Sequence, residues 1–544
     1  HISPGKMQWT WGCGDFGKAW DRNLTDEDGP YVELMTGVYT DNQPDFTWLQ
    51  PFEEKVFRQY FMPYKAVGQV KNATKDAAVH LSCSGGTVKV VVYASGVFDH
   101  AQILLTDARQ VLLNRNVRLS PVEVFRAEIP WDGKCEEELR IRVMNGDVCL
   151  VEYRPEPEEI PKIPEPAKAA EEPAKIMTNE ELFLTGQHIE QYRHATFLPD
   201  PYYLEGLKRD PGDIRINQAY GQLLLRRGCV KEAEPYFWKA IERLTMRNPN
   251  PYDSESYYLL GVDLFLQERL EEAYDAFYKA TWSSGQQEMA FYYLAAIDAH
   301  RGRLEQALEH VERGLVKNLH NVKARGLKAY LLRRMGRTGD ALEWTEKNLE
   351  LDPFDFVSAN EQILLAAEWN GPRNGLRDPE TLRIELDGKM RDFPEHYLMA
   401  ARDYAEMGAF REAAALLERC IRVYPMLYYY EAYYRGKCGE DTKELLNQAE
   451  TCSPDYCFPN KLEDLAVLED AVAKGCCRKA PYYLGNLFYD RLQWEKALEL
   501  WELSAAEDPD FATVHRNLAL VYYNKKKDGR RAQEELEHAF ALDP

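Results

Sequence analysis

Small residues at fixed intervals organise the C-terminal two-thirds of the chain. Apolar positions there follow the three- and four-residue spacing of amphipathic helices, arranged in pairs that short turns join. Within a pair, small side chains recur after 12 and then 7 residues, as at Gly261, Ala273 and Ala280. The same steps begin at Gly221, Ala295, Ala329, Ala401 and Gly485, and at Ala519 with one extra residue in the turn. The pattern predicts a right-handed stack of antiparallel helix pairs over residues 214–544, in which each pair contacts mainly its neighbours.

These steps resemble the tetratricopeptide repeat (TPR), a helix pair of about 34 residues in which small residues mark the helix crossings. Residues 354–393 are less regular, and we expect a longer helical insertion with a loop there.

The first helices of the pairs are rich in tyrosine, for example Tyr292-Tyr293 and Tyr482-Tyr483. Either these rings pack in the core, or they line a concave groove that binds a peptide or an adjacent domain.

The chain before the repeats alternates as strands do. Residues 68–153 contain short runs rich in Val, Leu and Ile with turn residues between them, which predicts an antiparallel β-sandwich of about seven strands. Residues 154–177 form a linker rich in Pro and Glu. Residues 178–213 begin with a helix N-terminus at Thr178 and are expected to dock on the first repeat. The predicted fold class is therefore multidomain, with an N-terminal β part followed by an all-α TPR superhelix.

Charge and cysteine content restrict the partners. The formal net charge of −22 makes nucleic acid and anionic membrane surfaces poor partners. No stretch approaches the ~18 apolar residues that span a bilayer.

The eleven cysteines are scattered, several of them at helical repeat positions, which favours a reducing compartment, the cytoplasm. No signal peptide is visible, and the start reads as the inside of a domain, so we expect a longer native chain.

The first sixty-odd residues combine tryptophan with carboxylates. Indole faces cover the apolar face of a pyranose ring and carboxylates accept its hydroxyls, so this mixture suits a sugar site. The candidate substrate-binding residues are Trp11, Trp20, Asp21 and Trp48. Tryptophan is also common in β cores, and that alternative stays open.

The segment YVELMTGVYTDNQPDFTWLQPFEEKVFRQYFMPYKAVG resembles the C-terminal strands of galactose-mutarotase-like domains. Residues 1–67 would then be the end of a large β-supersandwich, as in bacterial proteins in which such a domain precedes TPRs. In that family a strand carries a catalytic glutamate, and Glu33 falls at its position, although Leu34 and Met35 differ from the usual Thr-Gln. The resemblance implies a general base at Glu33, and Asp45 or Asp15 would complete a carboxylate pair.

Two functions from different classes follow. The first is a carbohydrate-active protein, a glycoside hydrolase on a neutral oligosaccharide or else a sugar epimerase, in which the TPRs organise the catalytic part or an oligomer. The alternative is a non-enzymatic scaffold whose TPR groove binds a protein, either its own N-terminal part or another subunit. Neither function calls for a cofactor. No metal site is predicted either, because the cysteines at 452, 457, 476 and 477 lack the spacing of a zinc site.

Overall fold

The computed structural model describes residues 6–25, 29, 31–36, 53–58, 60–133, 135–157, 169–192, 196–369 and 377–544. The chain divides into two compact units, His1–Lys168 and Ala169–Pro544. The first contains β-strands and one helix, and the second is helical. This is the β-then-TPR architecture that the sequence predicts.

The first unit begins with a small antiparallel ladder. Its elements are β1 (Lys6–Thr10), α1 (Asp15–Leu24) and β2 (Val32–Thr36). Strands β1 and β2 pair so that Trp9 lies opposite Glu33.

A β-sandwich follows, in two four-stranded antiparallel sheets with orders β3-β4-β5-β8 and β10-β9-β6-β7. Inward residues such as Val90, Ile103 and Val143 are fully buried between the sheets. The extra strand over the expected seven is β3, whose two residues are too few to show alternation in the sequence. The strands are β3 (Asn72–Ala73), β4 (Ala77–Ser84), β5 (Thr87–Ala94), β6 (Phe98–Thr106), β7 (Val111–Leu119), β8 (Phe125–Pro130), β9 (Arg140–Asn145) and β10 (Val148–Tyr153).

The second unit is a superhelix of antiparallel helix pairs. Its first helix, α2, begins after Thr178 as the sequence predicts, and Thr178 and Glu181 form a reciprocal capping box there. The helices are α2 (Asn179–Gln191), α3 (Asp200–Arg209), α4 (Ile214–Arg226), α5 (Val230–Thr245), α6 (Glu255–Leu266), α7 (Leu270–Ala280), α8 (Gln287–His300), α9 (Leu304–Lys317), α10 (Val322–Arg334), α11 (Thr338–Leu351), α12 (Phe356–Glu368), α13 (Pro379–Met390), α14 (Pro394–Glu406), α15 (Phe410–Leu417), α16 (Pro425–Lys437), α17 (Lys443–Thr451), α18 (Glu463–Ala473), α19 (Ala480–Asp490), α20 (Trp494–Glu507), α21 (Ala512–Val521) and α22 (Gly529–Leu542). The irregular segment contributes α12 and α13, and the expected loop at 370–376 lies outside the described residues.

The small residues of the repeat lie where paired helices cross. A Cβ atom on Gly261 would lie 2.7 Å from the ring of Phe277, and one on Gly485 would lie 2.5 Å from Nε1 of Trp501. Ala273 is fully buried in the same pair. The glycines therefore let an aromatic ring of the second helix pack directly on the backbone of the first helix.

The helical unit has two main hydrophobic cores rather than one. One core joins α4 to α8 and the other joins α8 to α22, so that α8 contributes to both. The paired tyrosines are largely core residues, as the packing interpretation predicts: Tyr292, Tyr429, Tyr430 and Tyr483 are at most 1% exposed.

Substituting the crossing glycine should cost stability. Gly261→Ala places a methyl group against the Phe277 ring, and we expect a loss of about 1 to 3 kcal/mol in the free energy of unfolding. Gly388→Ala is the matched control, since Gly388 lies within α13 and its Cβ would meet nothing within 4 Å. There the gain in helix propensity should stabilise the protein by about 0.5 to 1 kcal/mol. Urea denaturation followed by circular dichroism measures both, and equal effects of the two substitutions would contradict the crossing model.

Candidate functional site: the central cavity of the helical unit

The superhelix folds back so that its early turns contact its late helices. The turn between α4 and α5 lies against α18 and α20, because Gln493 Nε2 donates to the carbonyl oxygen of Arg227 at 2.6 Å. A Cβ on Gly228 in the same turn would lie 2.5 Å from Cδ1 of Leu465. The end of α8 lies against α15, where the rings of His300 and Phe410 meet edge to face with centroids 5.9 Å apart.

Between these two contacts, Glu268 bridges from the turn of α6 and α7 to α16. Its carboxylate accepts hydrogen bonds from Lys437 Nζ at 2.6 Å and from the Tyr433 hydroxyl at 3.1 Å. Successive early turns thus meet the late helices in reverse order. We call this line of contacts the seam, the helices α4–α7 the N-terminal lobe, and α14–α20 the C-terminal lobe.

Glu268 occupies a position that favours glycine. The equivalent residues of four other turns are glycines with φ of 72° to 77°: Gly228, Gly302, Gly336 and Gly408. Glu268 has φ 58°, in the left-handed region that costs a side-chain-bearing residue about 1 kcal/mol or more. The residue with this strained backbone is thus also the one whose carboxylate reaches across the seam to α16.

A cavity of about 640 Å³ lies between the lobes along the seam. Its wall is mostly apolar and aromatic and includes Phe265, Ile297, Phe410, Tyr430, Tyr434 and Leu465. Charged side chains of both signs are interspersed: Lys231, Arg402, Lys437 and Lys496 with Glu232, Glu268, Glu406, Glu463 and Glu469. An apolar cleft with a few converging polar groups is the usual form of a ligand site.

A half-buried ion cluster links α10 to α14 beside the cavity. Lys323 Nζ donates to Glu406 Oε1 at 2.8 Å and pairs with Asp403 Oδ1 at 3.2 Å, and the Tyr292 hydroxyl donates to Glu406 at 2.7 Å. Burial raises the pKa of Asp403 to about 6, although Lys323 acts in the opposite direction. Two carboxylates thus share one ammonium group in a poorly solvated place.

The N-terminal candidates lie in the first unit. Trp11 and Trp20 stack on each other with ring centroids 4.7 Å apart, and Phe16 meets both rings edge to face. All three are exposed, at 43%, 36% and 68% for Trp11, Trp20 and Phe16. The structure therefore brings the two tryptophans together at the surface rather than in a β core.

The carboxylates near this cluster have separate roles. Asp21 accepts a hydrogen bond from the backbone N–H of Tyr31 at 3.0 Å, and Asp15 lies in the first turn of α1. Glu33 is exposed on β2, where a hydrogen bond to it raises the pKa of the Tyr31 hydroxyl. Asp45 and Trp48 lie outside the described residues.

In the part of the chain that the structure describes, no group of three or more His, Cys, Asp or Glu side chains is placed to hold a metal ion. No described helix has the length and apolar character to cross a bilayer.

Sequence reasoning missed the cavity. None of its charged residues stands out by type, because surface helices carry many lysines and glutamates. One signal was readable: when the turns are aligned, Glu268 and Leu492 stand where Gly228, Gly302, Gly336 and Gly408 stand in the other turns, and of the two only Glu268 is charged. The pairing of that turn with α16, 165 residues away, was not readable from the repeat spacing.

Comparisons with known proteins match the two β segments and the helical unit separately. Residues 1–70 match a family described as a domain of unknown function (DUF5107). Residues 72–153 match the second domain of YphG-like proteins. Neither match confirms the resemblance to mutarotase-like domains.

Among solved structures, the chain is similar to a tetratricopeptide repeat protein from Parabacteroides merdae ATCC 43184. The identity is 17%, the match covers 52% of this chain and 98% of the other, and the TM-score is 0.31. It is also similar to pilF of Pseudomonas aeruginosa, at 18% identity over 42% of this chain and 97% of the other, with a TM-score of 0.34. At these TM-scores the likeness says nothing about function, and the TPR assignment rests on the helix pairs themselves.

The Asp403 cluster predicts a pH dependence of stability. Because its pKa rises from an ordinary 3.8 to about 6 on folding, ionisation is disfavoured in the folded state. This lowers the free energy of unfolding as pH rises from about 4 to 6, and the loss persists above pH 6. Asp403→Asn should therefore stabilise the helical unit by about 1 to 3 kcal/mol at pH 8 and have little effect at pH 4.

The control is Glu406→Gln, which weakens the acceptor that Lys323 and Tyr292 share and should destabilise the unit at pH 8. Urea titrations of both variants at pH 4 and 8 make the comparison. An Asp403→Asn variant that is less stable than wild type at pH 8 would show that the Lys323 pair outweighs the desolvation of Asp403.

Proposed function

We propose that the helical unit is a protein-interaction module whose central cavity receives a short segment of a partner protein. The observation that carries the proposal is the cavity of about 640 Å³, which is within the range of ligand sites and lies where the two lobes face each other. In this proposal the β-sandwich is a supporting module.

The cavity wall indicates the chemistry of the segment. Aromatic and aliphatic side chains offer contacts to apolar anchor residues. Some wall charges are already paired within the chain, as Glu268 with Lys437 and Glu406 with Lys323. Lys231 and Lys496 lie near the carboxylate of Glu469, and Lys496 also lies over the ring of Phe488, with Nζ 5.0 Å from its centroid. In the described part of the chain, Glu463 makes no hydrogen bond or ion pair. A segment with apolar anchors flanked by charges of both signs would fit.

A second proposal concerns the N-terminal surface. The exposed Trp11–Trp20 stack offers the outer faces of two indoles to a sugar ring, which supports carbohydrate binding with Asp21 and Trp48 as further contacts. Hydrolysis or epimerisation of that sugar would need Glu33 as general base, with Asp15 or Asp45 as the second carboxylate. It remains a proposal separate from that of the helical unit.

Filling the cavity should abolish peptide binding. Ala466 is exposed on the cavity wall, and Ala466→Trp adds a bulky ring there without removing a buried contact. Peptides selected from a displayed random library on the wild-type chain should bind this variant at least about tenfold more weakly, which corresponds to about 1.4 kcal/mol.

The matched control is Ala541→Trp, since Ala541 is exposed on α22 and does not line the cavity. Isothermal titration calorimetry of both variants with the same peptides decides the question. Equal affinity for wild type and Ala466→Trp would place the binding elsewhere on the protein.

Removing the aromatic stack should abolish any carbohydrate binding. We expect Trp11→Ala and Trp20→Ala each to remove glycan-array signals of the full chain, while Trp282→Ala, which removes a more exposed indole in the helical unit, leaves them unchanged. If an aryl glycoside is hydrolysed, Glu33→Gln should reduce the rate at least about a hundredfold, as expected for loss of a general base. Full activity in Glu33→Gln would remove Glu33 from the mechanism.

A further inference from the structure

The seam differs in kind from the packing inside each lobe. Within the lobes, neighbouring helices share continuous hydrophobic cores, one for α4–α8 and one for α8–α22. Across the seam, away from α8, the described contacts include the hydrogen bonds of Glu268 and Gln493, the approach of Gly228 to Leu465, and a charge interaction of Lys231 with Glu469. The lobes therefore touch there without a common core.

The contacts are strongest near α8 and become sparser away from it. Nine of its residues are buried, and Tyr292 on this helix reaches Glu406 of α14. Next along the seam comes the edge-to-face contact of His300 with Phe410. Beyond it lies the bridge of Glu268, which is half exposed to solvent, with side-chain exposures of 64% for Glu268 and 32% for Lys437. The seam is therefore densely packed at α8, whereas farther from α8 the lobes meet through a few contacts, the exposed Glu268 bridge among them.

The strained backbone of Glu268 marks this bridge as more than a surface ion pair. A glycine would adopt φ 58° without strain, as glycines do in four equivalent turns. Leu492 keeps the same conformation in the equivalent turn before α20, with φ 61°. Glu268 differs from Leu492 in that its side chain crosses the seam and accepts two hydrogen bonds from α16. Strained backbone is often found at switch and clamp sites, and here it coincides with the bridge between the lobes.

We infer that the N-terminal lobe opens and closes against the C-terminal lobe about α8, and that the bridge of Glu268 to Lys437 and Tyr433 is the latch that holds it closed. Opening separates the two walls of the cavity and gives a partner segment access to it, a consequence that rests on the proposed function. The latch is solvent-exposed and therefore weak, so the open state is thermally accessible, and high salt shifts the balance towards it.

The opening can be measured without any ligand. Leu465 packs against Gly228 across the seam, so in a Leu465→Cys background the thiol at position 465 becomes accessible when the lobes part. The rate of its alkylation by iodoacetamide is followed by peptide mass spectrometry, which resolves it from the native cysteines. The native Cys457, 1% exposed within the C-terminal lobe, serves as an internal reference for general loosening.

Glu268→Gly should raise the alkylation rate at position 465 about two- to fivefold, the effect of losing an exposed ion pair. Lys437→Gln should give the same increase, because it removes the other partner. In both variants the rate at Cys457 should stay unchanged, and the melting temperature of Glu268→Gly should not fall, since glycine relieves the strained turn.

The matched control is Lys527→Gly, which relieves the same left-handed strain, φ 57°, at an exposed residue before α22, outside both lobes. Its alkylation rate at position 465 should equal that of the parent. An unchanged rate in Glu268→Gly, an equal rise in Lys527→Gly, or a parallel rise at Cys457 would each overturn the latch. Because no peptide is present, these outcomes are independent of whether the cavity binds a partner.

Discussion

The close crossing of two helices at a small residue is the contact on which the helical unit depends. Where Gly261 meets Phe277, or Gly485 meets Trp501, the backbone of one helix lies directly under an aromatic ring of the next. Gly221 makes the same approach to Phe237, at 2.8 Å from a Cβ position, and other pairs have alanine at this site. A similar rotation from pair to pair accumulates along the stack into a superhelix. The curvature that brings Gly228 to Leu465 is thus set by crossings that are all local.

Closing the superhelix on itself creates a different kind of interface. Helix pairs along the stack bury apolar side chains against their neighbours, whereas the two lobes meet through turns, which carry polar groups and glycines. The resulting contacts, such as Gln493 to the carbonyl oxygen of Arg227, satisfy backbone groups without burying a large apolar area. The cavity persists beside them because the turns keep the helices of the two lobes apart.

The repeat pattern predicted the helical fold well, since the signal is local and recurs seven times. It predicted Gly221, Ala233 and Ala240 as crossing residues, and these are buried in α4 and α5. The β-sandwich was predicted in outline because alternation is also local. The cavity was not predicted, because it joins residues such as Glu268 and Lys437 that no local period relates.

The N-terminal residues differ from the cavity residues in this respect. There, residue types alone suggested a sugar site, without any information on how the side chains are arranged. Trp11 and Trp20 were chosen as sugar contacts because they are tryptophans, and their stacking at the surface was not part of that reasoning. Glu268 carried no such compositional signal, yet like Leu492 it keeps a left-handed conformation where four equivalent turns have glycine. What distinguishes Glu268 from Leu492 is a pair of hydrogen bonds to α16, outside its own repeat. In a repeat protein a departure from the repeat therefore points to function when it coincides with contacts that the repeat does not supply, and at Glu268 those contacts lie beside the cavity.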